Sequence, residues 1–347
     1  MTSRHLSFFP LPSTRSRKWG WIRQSGIAVT GVVFLLTACT GISGRSEFPD
    51  PERAVFGPAV RVGTLENESL RECSGLAASN RRSDLLWAVN DSGNGPYLYA
   101  LQLDGRDMGR IRVEDVVNRD WEGLDSFVLD GESFLLVADF GDNRQQHGVH
   151  TLVVVREPVT PNGGYGKEDT VPVAWRIRYT YPGRLHDAEA VAVDEREEKV
   201  FVLTKRDRAP VLYEVPLRPP VSDSPVAAGR LVAVAGIPQP TPEDWLFPYG
   251  AYRSQPTGMD IDPPGRLAVV LTYKDAYLFS RTPGEGWASA FLGVPVVIPL
   301  PPPQDHHDFQ QRESLCFDRD GRRLFVTSEG KNAALYMLQV KGGIGNP

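Results

Sequence analysis

A chain of 347 residues, 41% apolar and 10% aromatic, can bury a full hydrophobic core, which sets it apart from disordered chains. Its formal net charge of −5 argues against a nucleic-acid partner, because affinity for a phosphate backbone is drawn mainly from Lys and Arg. Three cysteines are too few for a disulfide scaffold.

Residues 1–38 read as a leader. Arg4, Arg15, Arg17, Lys18 and Arg23 stand there with no acid, and an apolar run from Ile27 to Leu36 follows, interrupted by Thr30 and Gly31. That run is shorter than the roughly 20 apolar residues a bilayer span needs. A basic region, a short apolar region and small residues make a secretory signal peptide. Its end, Leu36-Thr37-Ala38-Cys39, resembles the bacterial lipobox. The resemblance implies a lipoprotein whose Cys39 carries acyl chains such as palmitate, enough together to hold it on a membrane. The expected location is the bacterial cell envelope. Thr40 after the cysteine, rather than Asp, points to the periplasmic side of an outer membrane if the organism has two. Losing residues 1–38 moves the net charge from −5 to −10. Residues 39–55 are polar, with Gly, Ser and Pro, and read as a lipidated tether. Residues 56–347 read as one domain.

Within that domain one phrase recurs five times. Its first strand is Ser74-Gly75-Leu76-Ala77, Glu122-Gly123-Leu124-Asp125, Glu189-Ala190-Val191-Ala192, Thr257-Gly258-Met259-Asp260 and Glu313-Ser314-Leu315-Cys316. A turn and a second apolar strand follow, such as Leu85–Val89 or Val200–Leu203, then a polar cluster and a third strand such as Tyr97-Leu98-Tyr99. Asp130-Gly131, Asp262–Gly265 and Asp318–Gly321 mark the first turn of three repeats. Fourth strands are expected over 109–113, 173–179, 230–235 and 294–298. Residues 60–65 have no first strand before them, and are expected to complete the last repeat and close a ring. No long stretch carries a 3.6-residue apolar period. Short strands in repeats of about 45–70 residues make an all-β chain, a single β-propeller of four-stranded blades.

Five repeats count to five blades. The strand phrasing resembles six-bladed families more closely, among them the regucalcin and gluconolactonase-like lactonases and the esterase-like phytase domains. A sixth, degenerate blade would have to lie within 123–190 or 190–258. Those likenesses imply a calcium-dependent hydrolase of lactones or phosphate esters.

First-strand starts and second-strand exits share one face of a propeller, and here they are polar in every repeat. Glu122, Glu189, Glu313 and Asp139 are the candidate metal ligands, since crowded carboxylates repel unless a cation sits among them and hard oxygen donors suit calcium. Each Glu has a second reading, that it binds backbone of the neighbouring blade and locks the ring. Asn90, Asp91, Arg144, Lys205 and Lys274 are the candidate ligand-binding residues. His186 and His307 are the candidates for proton transfer if the protein is a catalyst. The expected partners are the membrane, through the N-terminal lipid, and a small molecule or protein at the channel mouth. The expected state is a monomer. Cys73 and Cys316, on neighbouring first strands but about four residues apart in depth, are expected to stay unbonded.

Overall fold

In the computed structural model, residues 55–161, 163–166, 169–218, 224–246, 250–301 and 311–341 are described. They form five small sheets. The first blade runs outward through Cys73–Ala78, Leu85–Asn90, Tyr97–Gln102 and Asp107–Val113. The second is Trp121–Leu129, Glu132–Asp139, His150–Arg156 and Val173–Thr180. The third is Ala188–Asp194, Lys199–Thr204, Val211–Pro216 and Gly229–Ala233, and the fourth is Pro256–Ile261, Leu267–Thr272, Ala276–Ser280 and Val296–Ile298. The fifth holds Arg312–Phe317, Arg323–Ser328 and Ala334–Lys341. Its fourth strand is the N-terminal Val60–Thr64, which runs antiparallel to Ala334–Lys341 with Val60 opposite Met337 and Thr64 opposite Ala334. The ring is thus closed between the two ends of the chain, as expected. The blade count is five. The interval 123–190 is filled by the second blade and a crossover whose Thr170–Val171 pairs with the outer strand of the first.

Three of the first turns are built by chemistry already visible in the sequence. Asp130 and Gly131 stand at φ of 52° and 80°, as a two-residue hairpin turn requires. Asp262 Oδ1 accepts the N–H groups of Arg266 and Leu267 at 2.6 and 2.8 Å. Asp318 Oδ1 does the same for Arg322 and Arg323 at 2.7 and 3.0 Å. Helix among the described residues is confined to Trp287–Leu292 and two single turns.

The core lies between blades. Trp87, Leu98, Leu124 and Val137 pack between the first and second, and Leu136, Tyr179, Val191 and Val202 between the second and third. Phe201, Met259 and Phe279 fill the next gap, Leu271, Leu315 and Val326 the one after, and Leu86, Tyr99 and Phe325 the gap across the closure. A strand buried on both faces loses its polar alternation, so Leu85–Asn90 and Leu267–Thr272 are buried throughout. Close approach of the inner strands explains the small residue of the repeated phrase: a Cβ on Gly75 would lie 2.5 Å from the Leu124 nitrogen of the next blade. Cys73 and Cys316 are buried and unbonded. Burial pushes the Cys73 thiol up to about 12, which makes it inert.

Candidate functional site

All five inner strands break register at the same place. The ladder skips Ser74, Glu122, Glu189, Thr257 and Glu313, one per blade. A β-bulge leaves its extra residue unpaired and re-aims its side chain. Here four of the five equivalent residues, Ser74, Glu122, Glu189 and Glu313, line a narrow channel. The two hydroxyl residues lock blades: Ser74 Oγ donates to the Trp121 carbonyl and Thr257 Oγ1 to the Arg312 carbonyl, each at 2.7 Å.

The three glutamates gather round a cation that the chain itself supplies. Lys205, 4% exposed, leaves the second strand of the third blade. Its Nζ pairs with Glu189 Oε1 and donates to the Tyr273 hydroxyl at 2.7 Å. Tyr273 in turn donates to Glu313 Oε1 at 3.2 Å. Burial pulls Lys205 down, but Glu189, Glu313 and Glu122 reverse that pull, and its net shift is upward. Burial, then mutual repulsion, pushes Glu122 and Glu313 well above the carboxylate range. Glu189 rises to about 7 through burial, with Lys205 opposing.

A second cluster sits beside the ring. Asp91, Asp120 and Glu122 each place one carboxylate oxygen within 4.8 Å of the other two. Asn118 assembles it. Its Nδ2 donates to the Asn90 and Asp91 carbonyls at 3.0 and 2.8 Å, and its Oδ1 accepts the Trp121 N–H at 3.0 Å. The exit loop of the first blade is thereby clipped to the start of the second. Burial, then Asp91, pushes Asp120 up to about 6. The neighbouring cations are engaged elsewhere: Arg119 faces Asp139 Oδ1 at 3.8 Å, and Arg206 Nε donates to Asp187 Oδ2 at 2.6 Å.

The expected ligand set is thus divided. Glu122, Glu189 and Glu313 come together. Asp139 braces the loop instead, its Oδ1 accepting the Asp120 N–H at 2.9 Å. Asp91 stands against Asp120 and Glu122. Asn90 is a buried brace whose Oδ1 accepts the Glu72 N–H at 3.1 Å and whose Nδ2 donates to the Ser69 carbonyl at 2.7 Å. Lys205 is inside the ring, Lys274 pairs with Asp244 at 3.2 Å, and Arg144 is exposed. His186 is 4% exposed and spends Nδ1 on Asp207 at 2.8 Å and Nε2 on Tyr213 at 3.0 Å. His307 and Cys39 lie outside the described residues.

Asp120 and Asn118 were not singled out in the sequence, although Asp120 is two residues before Glu122. Among the acids that do lock blades are Asp125 and Asp260, farther along the inner strands. Their Oδ2 atoms accept the N–H groups of Val193 and Phe317 in the next blade, both at 2.6 Å. A larger hollow, about 530 Å³, lies at the outer edge of the second blade. Its buried acid, Glu157, is already held by Trp87 Nε1 at 3.0 Å and the Asn80 N–H at 3.1 Å.

The fold and axial ring define a five-bladed β-propeller. No protein-family model matches the chain, and no curated protein matches it in sequence. Among solved structures it is similar to a luciferin-regenerating enzyme, at 14% identity over 82% of this chain and 97% of that one, with a TM-score of 0.41. It is also similar to a candidate 6-phosphogluconolactonase from Bacteroides uniformis, at 15% identity over 79% and 69%, with a TM-score of 0.35. Neither likeness bears on chemistry.

Proposed function

We propose that this protein is a lipid-anchored β-propeller of the bacterial cell envelope that binds a hard divalent cation at its channel mouth, and through it a small oxyanion-bearing ligand. The observation that carries the reading is the convergence of Asp91, Asp120 and Glu122 from two blades, within 4.8 Å of one another, while Arg119 and Arg206 are paired with other acids. An all-carboxylate donor set suits calcium, which accepts six to eight oxygens in flexible geometry. Such an ion would keep open positions toward solvent, where a carboxylate, phosphate or lactone oxygen of a ligand completes its shell. A hydrolase of lactones or phosphate esters would also need a group that moves protons at this ion. Among the described residues, His186 has both ring nitrogens committed to Asp207 and Tyr213, which favours binding over catalysis.

Calorimetric titration of the protein with calcium chloride tests the reading. Binding is expected at pH 7.5, and Asp120→Asn is expected to weaken it at least tenfold. Asp120, pushed up to about 6, must lose its proton to bind metal, so affinity should fall as pH drops from 7 to 5. Bound ion at a hundredfold excess over its Kd should add about 2.7 kcal/mol of stability. No heat of binding and no calcium-induced change in Tm at any pH from 5 to 8 would sink the proposal.

The anchor has its own test, resting on the run Leu36-Thr37-Ala38-Cys39. Cys39→Ser is expected to release the protein from the membrane fraction or leave an unprocessed precursor. Unchanged processing and membrane association would refute it.

A further inference from the structure

Glu122 belongs to two clusters at once. On one side it meets Asp91 and Asp120 at the mouth. On the other it shares the axial channel with Glu189 and Glu313. Charge does not balance within this group. Asp91, Asp120, Glu122, Glu189 and Glu313 bring five carboxylates, Glu329 adds a sixth against Glu313, and Lys205 is the cation set among them. Lys205 uses only one oxygen of Glu189. The other, Oε2, is fully buried and has no hydrogen-bond partner among the described residues. A buried charged oxygen left without a donor is costly, and such groups in a folded protein are normally satisfied by an unseen water or ion. The channel at this depth keeps about 10 Å³ free between Glu122, Glu189, Glu313, Ser74 and Ser314, room for one water-sized sphere.

We infer that the channel takes a second divalent, oxygen-preferring cation, held by Glu189 Oε2, Glu122 and Glu313 and bridged to the mouth cation through the Glu122 carboxylate. This rests on the cation-binding reading of the mouth and extends it to a two-ion centre. The geometry divides the work. The inner ion is enclosed by the inner strands and Lys205, and sets the position of Glu122. The outer ion, on Asp91 and Asp120, faces solvent and presents the open positions. A ligand with two neighbouring anionic oxygens, such as a phosphate monoester, would be drawn to such a pair more strongly than a lactone.

Equilibrium dialysis of the full chain in detergent against calcium, with manganese as a spectroscopic stand-in, tests this. Two ions per chain are expected at saturation at pH 7.5. Glu189→Gln keeps the amide oxygen toward Lys205 and is expected to bind one ion, with the outer affinity changed less than threefold. Asp120→Asn is expected to lose the outer ion first. Should Glu189→Gln fail to fold, electron paramagnetic resonance of the manganese-saturated wild type still decides: a spin-coupled pair is expected. One ion per chain with an isolated manganese signal, or two ions retained in a folded Glu189→Gln, would overturn the inference while leaving the mouth site standing. Binding of no ion at all would remove both.

Discussion

Lys205→Met should lose about 3–5 kcal/mol of stability at pH 7.5, the range observed when one member of a buried ion pair is removed. Methionine fills the volume of the lysine stem, so the loss is electrostatic: Glu189 loses its partner, and Glu122 and Glu313 lose the cation that offsets their repulsion. The pH dependence separates this from a packing defect. The ring acids hold protons more tightly in the folded chain than in the unfolded one, where a Glu titrates near 4.3. Their favourable contribution is therefore complete below about pH 4 and is lost as pH rises through the folded values, which for Glu189 is about 7. Without Lys205 those values rise further and the loss deepens. The gap in Tm between wild type and Lys205→Met should be widest above pH 7 and should shrink toward pH 5. Calcium should narrow it at neutral pH by replacing the missing charge. A gap that stays constant from pH 5 to 8 would mean that the lysine contributes packing alone.

Removing residues 57–66 should abolish cooperative unfolding or lower Tm by more than 15 °C, whereas removing the tether 40–54 should shift it by less than 3 °C. The deleted strand is the fourth of the last blade, bonded from Val60 to Thr64 along Ala334–Lys341. It carries Leu65, which is fully buried with Leu70, Tyr99 and Leu335 in the core across the closure. Loss of that core parts the first blade from the fifth and opens two strand edges that the ring conceals. A point variant makes the same case with the chain intact. A Cβ on Gly63 would lie 1.8 Å from the Asp104 carbonyl oxygen, a backbone atom that cannot swing aside. Gly63→Val should therefore be destabilising by several degrees as well, in differential scanning calorimetry. Equal small shifts from both deletions would show that the ring holds without its closing strand.

Much of this architecture was legible before any coordinate. The repeated phrase, with turn residues such as Asp130-Gly131 at fixed offsets, determined the strand order and the equivalence of blades. It follows that Glu122, Glu189 and Glu313 share one ring, because repeats related by an axis place equivalent residues at equal depth. The unpaired strand over 60–65 likewise implied closure, since an open array would expose edges at both ends. The six-bladed phrasing did not carry through: the long interval 123–190 is spent on the second blade and on a crossover whose short strand covers the edge of the first.

What the ring acids do was decided only in three dimensions. The bulge that skips Glu122, Glu189 and Glu313 depends on how each inner strand pairs with its neighbour, and a slip of one residue reverses every side chain beyond it. Whether a first-strand Glu locks blades or faces the channel was therefore undetermined by residue type. The structure gives locking to Ser74, Thr257, Asp125 and Asp260. Lys205 fills the ring because a long, flexible side chain leaving a strand end can reach any of several acids, and only the packed geometry selects Glu189 and Tyr273. Asp91 meets Asp120 through a clip made by Asn118 between blades. Such contacts join residues about 30 positions apart through loop conformation, for which the sequence has no period to read.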